Sequence, residues 1–175
     1  MEQISVPSSY YAAPWGMLLR VMTLVGIIIL LGLPLLTLKF GQIPPGGARL
    51  LFYFIPFILV IAFFFTVRGY ELADQQLTIL RPWWSKSIPL TNLKSAEFLP
   101  NAMRGSIRTF GNGGLFAFVG RYRNQKIGPY RAYATDLNRT VVLRFTDKTI
   151  IITPDEPEKF VQDISPFALS AGQKI

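Results

Sequence analysis

Two long runs of apolar residues dominate the hydrophobic pattern of the N-terminal third of the chain. Val21–Leu38 and Leu50–Val67 are each 18 residues long and contain no charged residue. At about 1.5 Å per residue each would form a helix of roughly 27 Å, close to the ~30 Å hydrocarbon core of a bilayer. Burial of both helices in a soluble core is the alternative, but the rest of this 175-residue chain offers too little apolar surface to enclose them. The pattern therefore predicts a membrane α hairpin of two transmembrane helices over residues 20–68.

The segment between the two runs, Lys39–Arg49, predicts the shape and orientation of this hairpin. Its two prolines and three glycines end one helix and turn the chain before the next. The basic residues are divided four against two between the flanks and the loop: Arg20, Arg68, Arg81 and Lys86 against Lys39 and Arg49. Because basic residues favour the cytoplasmic side, we expect both termini there, including an N-terminal tail over residues 1–19.

The hydrophobic period changes immediately after Arg68. Alternating residues predict a strand, a turn at Asp74 and Gln75, and a second strand over Gln76–Arg81. Further short strands are predicted in Ser87–Leu90, Ala96–Leu99, Ser106–Phe110, Leu115–Tyr122, Pro129–Thr135, Val141–Phe145 and Thr149–Thr153. From these nine candidate segments we expect a barrel of about seven antiparallel strands, small and mainly β.

A single amphipathic helix is predicted after the last strand. Acidic residues in Thr153–Glu158 would occupy its first turn, where the helix dipole favours negative charge. The apolar stripe that would face the barrel consists of Phe160, Val161, Ile164 and Phe167. The predicted domain therefore covers residues 69–168, with a C-terminal α-helix and a flexible tail over residues 169–175.

Aromatic and basic residues next to the predicted spans have the composition of membrane-interface anchors. The second strand of the first hairpin must return toward the bilayer, where it delivers Trp83 and Trp84 between two basic residues. The alternative is that one or both of these tryptophans close the bottom of the β core. The predicted interface residues are Tyr11, Trp15, Arg20, Arg68, Trp83, Trp84 and Lys86.

The net charge of +8 is concentrated in one part of the chain. Between Arg81 and Arg131 there are nine Lys or Arg residues and one acid, Glu97. Such a surface near a bilayer suits anionic lipid headgroups, although solvated charges that keep the domain soluble are an equal alternative. Nucleic acid is the less favoured partner because the bilayer lies so close. The candidate residues for binding a partner or lipid are Arg104, Arg108, Arg121, Arg123, Lys126 and Arg131.

Residues able to carry catalysis are scarce. The chain has no cysteine and no histidine, which removes thiolate nucleophiles, the usual base of a triad and the commonest metal ligand. Gly111–Gly114 leads into an aromatic strand and not into a helix, so a turn or bulge is favoured over a phosphate loop. The acids Asp155, Glu156 and Glu158 cluster at one helix start, where capping explains them. We expect no enzyme, metal site or cofactor, although a serine-lysine dyad stays compatible with the spacing.

Several segments carry a resemblance to a known family. They are Ser87–Glu97, Arg108–Gly114, Gly120–Arg123, Gly128–Thr135 and Ile151–Phe160. With these segments the chain resembles the bacterial pleckstrin-homology-like (PH-like) domains with an N-terminal transmembrane hairpin. The resemblance implies a seven-stranded bent sheet closed by the C-terminal helix, a bacterial inner or internal membrane, and a binding or scaffold module that is not an enzyme. The first hairpin turn, Ala73–Gln76, lacks Lys and Arg, so an inositol-phosphate site is not carried over.

Two functions follow as predictions. The first is a non-catalytic, membrane-anchored PH-like module that binds an integral membrane protein, as a scaffold, accessory or assembly factor of a membrane complex. The alternative is a module that binds anionic lipid headgroups at the cytoplasmic membrane face.

Overall fold

The computed structural model describes residues 8–40 and 45–171, which form three α-helices and ten strands. The helices are α1 (Met17–Phe40), α2 (Pro45–Phe64) and α3 (Pro157–Ala171). The strands are β1 (Ser9–Ala12), β2 (Gly69–Ala73), β3 (Gln76–Leu80), β4 (Ser85–Pro89), β5 (Leu93–Phe98), β6 (Ile107–Gly113), β7 (Phe118–Asn124), β8 (Gly128–Ala134), β9 (Val141–Phe145) and β10 (Thr149–Ile152). These two β-sheets and the C-terminal helix fit a PH-like fold. We call β1–β10 together with α3 the β domain.

The strands form two sheets. The first has the order β1-β2-β3-β4 and the second the order β5-β9-β10-β8-β7-β6. The described chain has more strands than the seven expected, and one pair is parallel: β10 lies parallel to β8. The chain reverses direction after β8 and again between β9 and β10, which are an antiparallel hairpin, so β10 runs in the same direction as β8. The expectation of a purely antiparallel sheet was therefore wrong at this pair.

The predicted first hairpin is confirmed. β2 and β3 are antiparallel, and the turn residues Asp74 and Gln75 have φ values of 48° and 58°. Two successive left-handed residues make the two-residue turn whose twist matches that of the flanking strands.

The N-terminal segment contributes to the β domain. Residues 1–19 were expected to be a tail, but Ser9–Ala12 form β1, which pairs with β2. Tyr11 was predicted to lie at a membrane interface; instead it is 2% exposed and its hydroxyl donates to Asp163 of α3. The rings of Tyr11 and Phe160 meet edge to face at 5.0 Å. This placement corrects the prediction for Tyr11. The N-terminal segment extends along the edge of a sheet as a strand, and Tyr11 lies on the side of that strand that faces the core.

The core between the sheets contains a fully buried hydrogen-bond network. The Tyr70 hydroxyl donates to the carbonyl of Tyr133 at 2.6 Å and accepts from the Thr153 amide at 3.1 Å. Burial raises the pKa of Tyr70 to about 12, so the hydroxyl keeps its proton and can donate. The predicted stripe of α3 closes this core: Phe160 and Ile164 are buried, and Val161 and Phe167 lie against it.

The first turns of α1 cover the outer face of the six-stranded sheet. Leu19 is completely buried there among Ala132, Ala134 and Ile151, and Trp15 lies against the same cluster. The start of helix α1 therefore packs directly against the β domain and is not joined to it by a loose linker.

Helix α1 has the length and composition needed to cross a membrane. The stretch Met17–Leu36 of this helix has a mean hydropathy of 2.4, and only 17% of its apolar segment is buried within the protein. Among the described residues it is the one helix that meets this criterion, since the apolar part described in α2, Phe52–Phe64, is shorter. α1 and α2 lie against each other. The predicted second span therefore stays a prediction, and part of the predicted loop, residues 41–44, lies outside the described residues.

Candidate functional site

Two arginines lie side by side on the six-stranded sheet. Arg121 of β7 is the cross-strand partner of Arg131 of β8, and two positions along the strands Val119 pairs with Tyr133. Side chains two positions apart on a strand share a face, so both arginines lie on the face that carries Val119 and Tyr133 into the core. Both arginines are exposed.

A third arginine, Arg81, approaches from the other sheet. It follows β3, and its guanidinium carbon lies 5.5 Å from the ring centres of Phe65 and Tyr133 and 5.7 Å from that of Trp84. Burial among these rings lowers the pKa of Arg81. Its buried Nε atom has no hydrogen-bond partner within the described part of the chain. Aromatic faces and not a carboxylate therefore hold this cation in place.

These three arginines line a single cavity of about 360 Å³, completed by Phe110, Val119, Gly120 and Tyr133. We call it the arginine cavity. None of these lining residues is acidic, and the ion pairs found within residues 8–40 and 45–171 involve Arg139, Lys148 and Lys159 instead. The Nζ of Lys86 adds a fourth cation, 5.7 Å from the Tyr133 ring centre. Converging, unpaired guanidinium groups suit an anion with several oxygen atoms, such as phosphate.

Two glycines shape the wall of the arginine cavity. Gly111 of β6 faces Gly120 of β7 in the sheet register, with φ values of 109° and 151°. A Cβ atom on either residue would fall on the backbone of the opposite strand. The turn or bulge predicted for Gly111–Gly114 therefore does not include Gly111, which is paired within β6 and allows a close approach of β6 and β7.

The loop between β6 and β7 connects the β domain to α1. The Asn112 side chain accepts from the Leu115 amide at 3.0 Å and donates to the Leu115 carbonyl, which closes the loop on itself. Phe116 has a left-handed φ of 66°, and its ring meets those of Trp15 and Phe63 at 6.2 and 5.8 Å. The loop thereby brings the β domain against both helices.

The predicted interface residues other than Tyr11 lie near the ends of α1 and α2. Trp83 is 80% exposed and its ring meets Phe64 at 5.2 Å, whereas Trp84 meets Phe65 at 5.3 Å. The alternative that Trp83 closes the β core is therefore wrong. Arg20 and Arg68 are exposed, Trp15 is half-buried, and Lys86 is partly buried.

The remaining predicted binding residues lie outside the arginine cavity. Arg108 and Arg123 are exposed on β6 and β7, Lys126 is exposed in the turn after β7, and Arg104 lines a separate cavity of about 370 Å³ beside the start of α1. The structure thus assembles two of the six predicted residues, Arg121 and Arg131, into one site.

Sequence reasoning missed Arg81 as a binding residue. It was counted among the flanking positive charges and in the basic stretch that ends at Arg131, but it was not named as a candidate binding residue, because nothing local indicates that β3 ends opposite β8. Its neighbours Trp83 and Trp84 were a usable signal, since a cation beside exposed aromatic residues is often held by them.

Within the described ranges there is no group of three or more His, Cys, Asp or Glu residues that could hold a metal ion.

Comparison with known families agrees with this architecture. The sequence model of the family described as "Bacterial PH domain" matches residues 68–166, more than half of the chain. No curated protein and no solved structure gives a match. The matched residues begin just before β2 and end within α3, so they cover the β domain except β1. The chain belongs to the bacterial PH domain family.

Proposed function

We propose that this protein is a non-catalytic, membrane-anchored binding module that acts as a scaffold or assembly factor for an integral membrane protein. In this proposal α1 and α2 both cross the membrane as a hairpin. Both termini and the β domain lie on the cytoplasmic side of a bacterial inner membrane. A PH domain suggests a binding module, and the anchor restricts what it can bind to molecules in or near the same membrane.

The exposed side chains of both helices support the membrane anchor. Large apolar residues such as Leu24, Ile28, Leu35, Phe54 and Phe57 are each more than half exposed. Contiguous apolar surface of this kind is unusual on a soluble monomer and favours contact with lipid. The described apolar part of α2 is short, but the helix as a whole runs from Pro45 to Phe64.

One contact carries the proposal. The hydroxyl of Thr23, a buried polar residue in the apolar helix α1, accepts from the Phe116 amide at 3.0 Å and donates to the Gly114 carbonyl at 3.2 Å. These bonds join α1 to a loop 91 and 93 residues further along the chain. The β domain is therefore fixed to the anchor, and the same surfaces always face the leaflet.

The outer edge of the six-stranded sheet is the surface that suits a protein partner. β6 ends the sheet order, and its Ile107 and Phe110 are 73% and 75% exposed. An edge strand with exposed apolar side chains can accept a strand or apolar segment of another protein. β6 ends at the loop that contacts α1, so a partner bound here would also lie close to the membrane.

The size of the complex in native membranes solubilised with a mild detergent tests this proposal. We expect the wild-type protein to migrate in a complex larger than its monomer. The Ile107→Ser/Phe110→Ser variant should migrate mainly as the smaller species, because both side chains are exposed and their loss leaves the core intact. Tyr10→Ser is the matched control, since Tyr10 is 61% exposed on β1, the edge strand of the other sheet. Migration of the wild-type protein as a monomer under all growth conditions would refute the proposal.

A second candidate function is the recognition of an anionic lipid headgroup. The arginine cavity favours it specifically, because one of its unpaired cations, Arg81, lies against Phe65 at the end of α2.

A further inference from the structure

We propose that the arginine cavity binds the phosphate of an anionic lipid headgroup from the adjacent leaflet. The inference rests on the membrane anchoring proposed above, and it assigns a site to Arg81, directly after β3, and to residues of β7 and β8. This site is separate from the turn between β2 and β3, where Asp74 and Gln75 offer no positive charge.

The charge of the cavity selects the ligand class. Arg81, Arg121 and Arg131 converge on one space, and none of the described ion pairs includes them. Solvated surface charges would point away from one another into water. Arg81 does the opposite: it lies on three aromatic rings with its Nε buried and without a partner among the described residues. A guanidinium group fixed in this way is positioned to bind phosphate oxygens, and the exposed Arg121 and Arg131 that line the same cavity can add further bonds.

The position of the cavity selects the source of the phosphate. Arg81 lies against the rings of Phe65 and Trp84. Phe65 is the residue directly after α2, and its ring centre lies 5.3 Å from that of Trp84. A helix that ends at the membrane surface places these rings, and the arginine between them, at the level of the headgroups. A volume of about 360 Å³ accommodates a headgroup, while Phe110, 75% exposed at the rim, offers apolar contact to its glycerol and upper acyl carbons.

The full-length protein in detergent micelles provides the test, with the melting temperature of its β structure followed by circular dichroism. Phosphatidylglycerol, phosphatidylcholine and inorganic phosphate are each titrated. Phosphatidylglycerol should raise the melting temperature of the wild-type protein, whereas the other two should not at equal concentration. The Arg121→Ala/Arg131→Ala variant should need about tenfold more phosphatidylglycerol for the same shift, since each lost charge-assisted contact weakens binding.

The matched control is Lys94→Ala/Arg104→Ala, which removes the same charge from exposed positions outside the cavity. It should respond as the wild-type protein does. Equal weakening in both double variants would mean attraction to the whole basic surface and would overturn the site. An equal shift with inorganic phosphate would overturn the lipid as the source of the phosphate. No shift with phosphatidylglycerol would overturn both the binding site and its lipid ligand. Failure of the anchoring proposal is distinguishable, because the wild-type chain would then be recovered in the aqueous fraction without detergent.

Discussion

Replacing Phe160 by alanine is expected to lower the free energy of unfolding of the β domain by about 3–5 kcal/mol, the usual cost of removing a buried phenyl ring. Phe160 is 0% exposed and lies in the core cluster shared by both sheets and α3. Its ring also supports Tyr11 of β1 at 5.0 Å. The substitution therefore leaves a cavity at the point where the C-terminal helix and the N-terminal strand meet.

Urea unfolding of the full-length protein in detergent micelles, followed by circular dichroism, measures this loss. Phe110→Ala is the control, because a 75% exposed phenylalanine should change the free energy of unfolding by no more than about 0.5 kcal/mol. Similar losses in the two variants would show that α3 does not close the core as described.

Replacing Gly111 by alanine is expected to cost about 4 kcal/mol of stability, from a strained backbone and a steric overlap of roughly 1–3 kcal/mol each. The φ of Gly111 is 109°, a value that L-residues rarely adopt. Its new Cβ would also overlap the carbonyl oxygen of Val119 and lie 2.7 Å from the Cα of Gly120. Since both neighbours are backbone, relief requires separation of β6 from β7 and distorts the wall of the arginine cavity.

Gly105→Ala is the matched control for the contribution of backbone strain to this loss of stability. Gly105 also has a left-handed φ, 72°, but a Cβ there meets nothing within 4 Å. Its cost should be about 1–2 kcal/mol, the strain alone. The same urea titration compares the two variants, and a Gly111→Ala protein as stable as Gly105→Ala would contradict the close approach of the strands.

The elements that sequence reasoning predicted well are those specified by local patterns. The hairpin at Asp74 and Gln75 follows from turn chemistry, and α3 follows from acids before a stripe that includes Phe160 and Ile164. β1 could not be predicted, because its four residues, which precede the first apolar run, are too few to show a strand periodicity. Its pairing with β2 is a tertiary contact, and the burial of Tyr11 depends on it.

The candidate site was predicted only in part for the same reason. Arg121 and Arg131 lie on two successive predicted strands, which pair as an antiparallel hairpin, so their proximity is a local consequence of its register. Arg81 reaches them from a different sheet, and no sequence spacing encodes that approach. The hydroxyl of Thr23 likewise has its partners in a loop far along the chain, so its role within an apolar helix was not visible.

The central claim is that the helices hold the β domain directly against a bilayer. The chain's three tryptophans, Trp15, Trp83 and Trp84, all lie beside the ends of these helices, so their intrinsic fluorescence reports on that contact without any substitution. The full-length protein is reconstituted in vesicles whose lipids carry bromine at defined depths. With the β domain held against the bilayer, quenching should be strongest by bromine placed near the headgroups and weak by iodide in the water. Strong quenching by iodide, with none by any brominated lipid, would contradict the central claim.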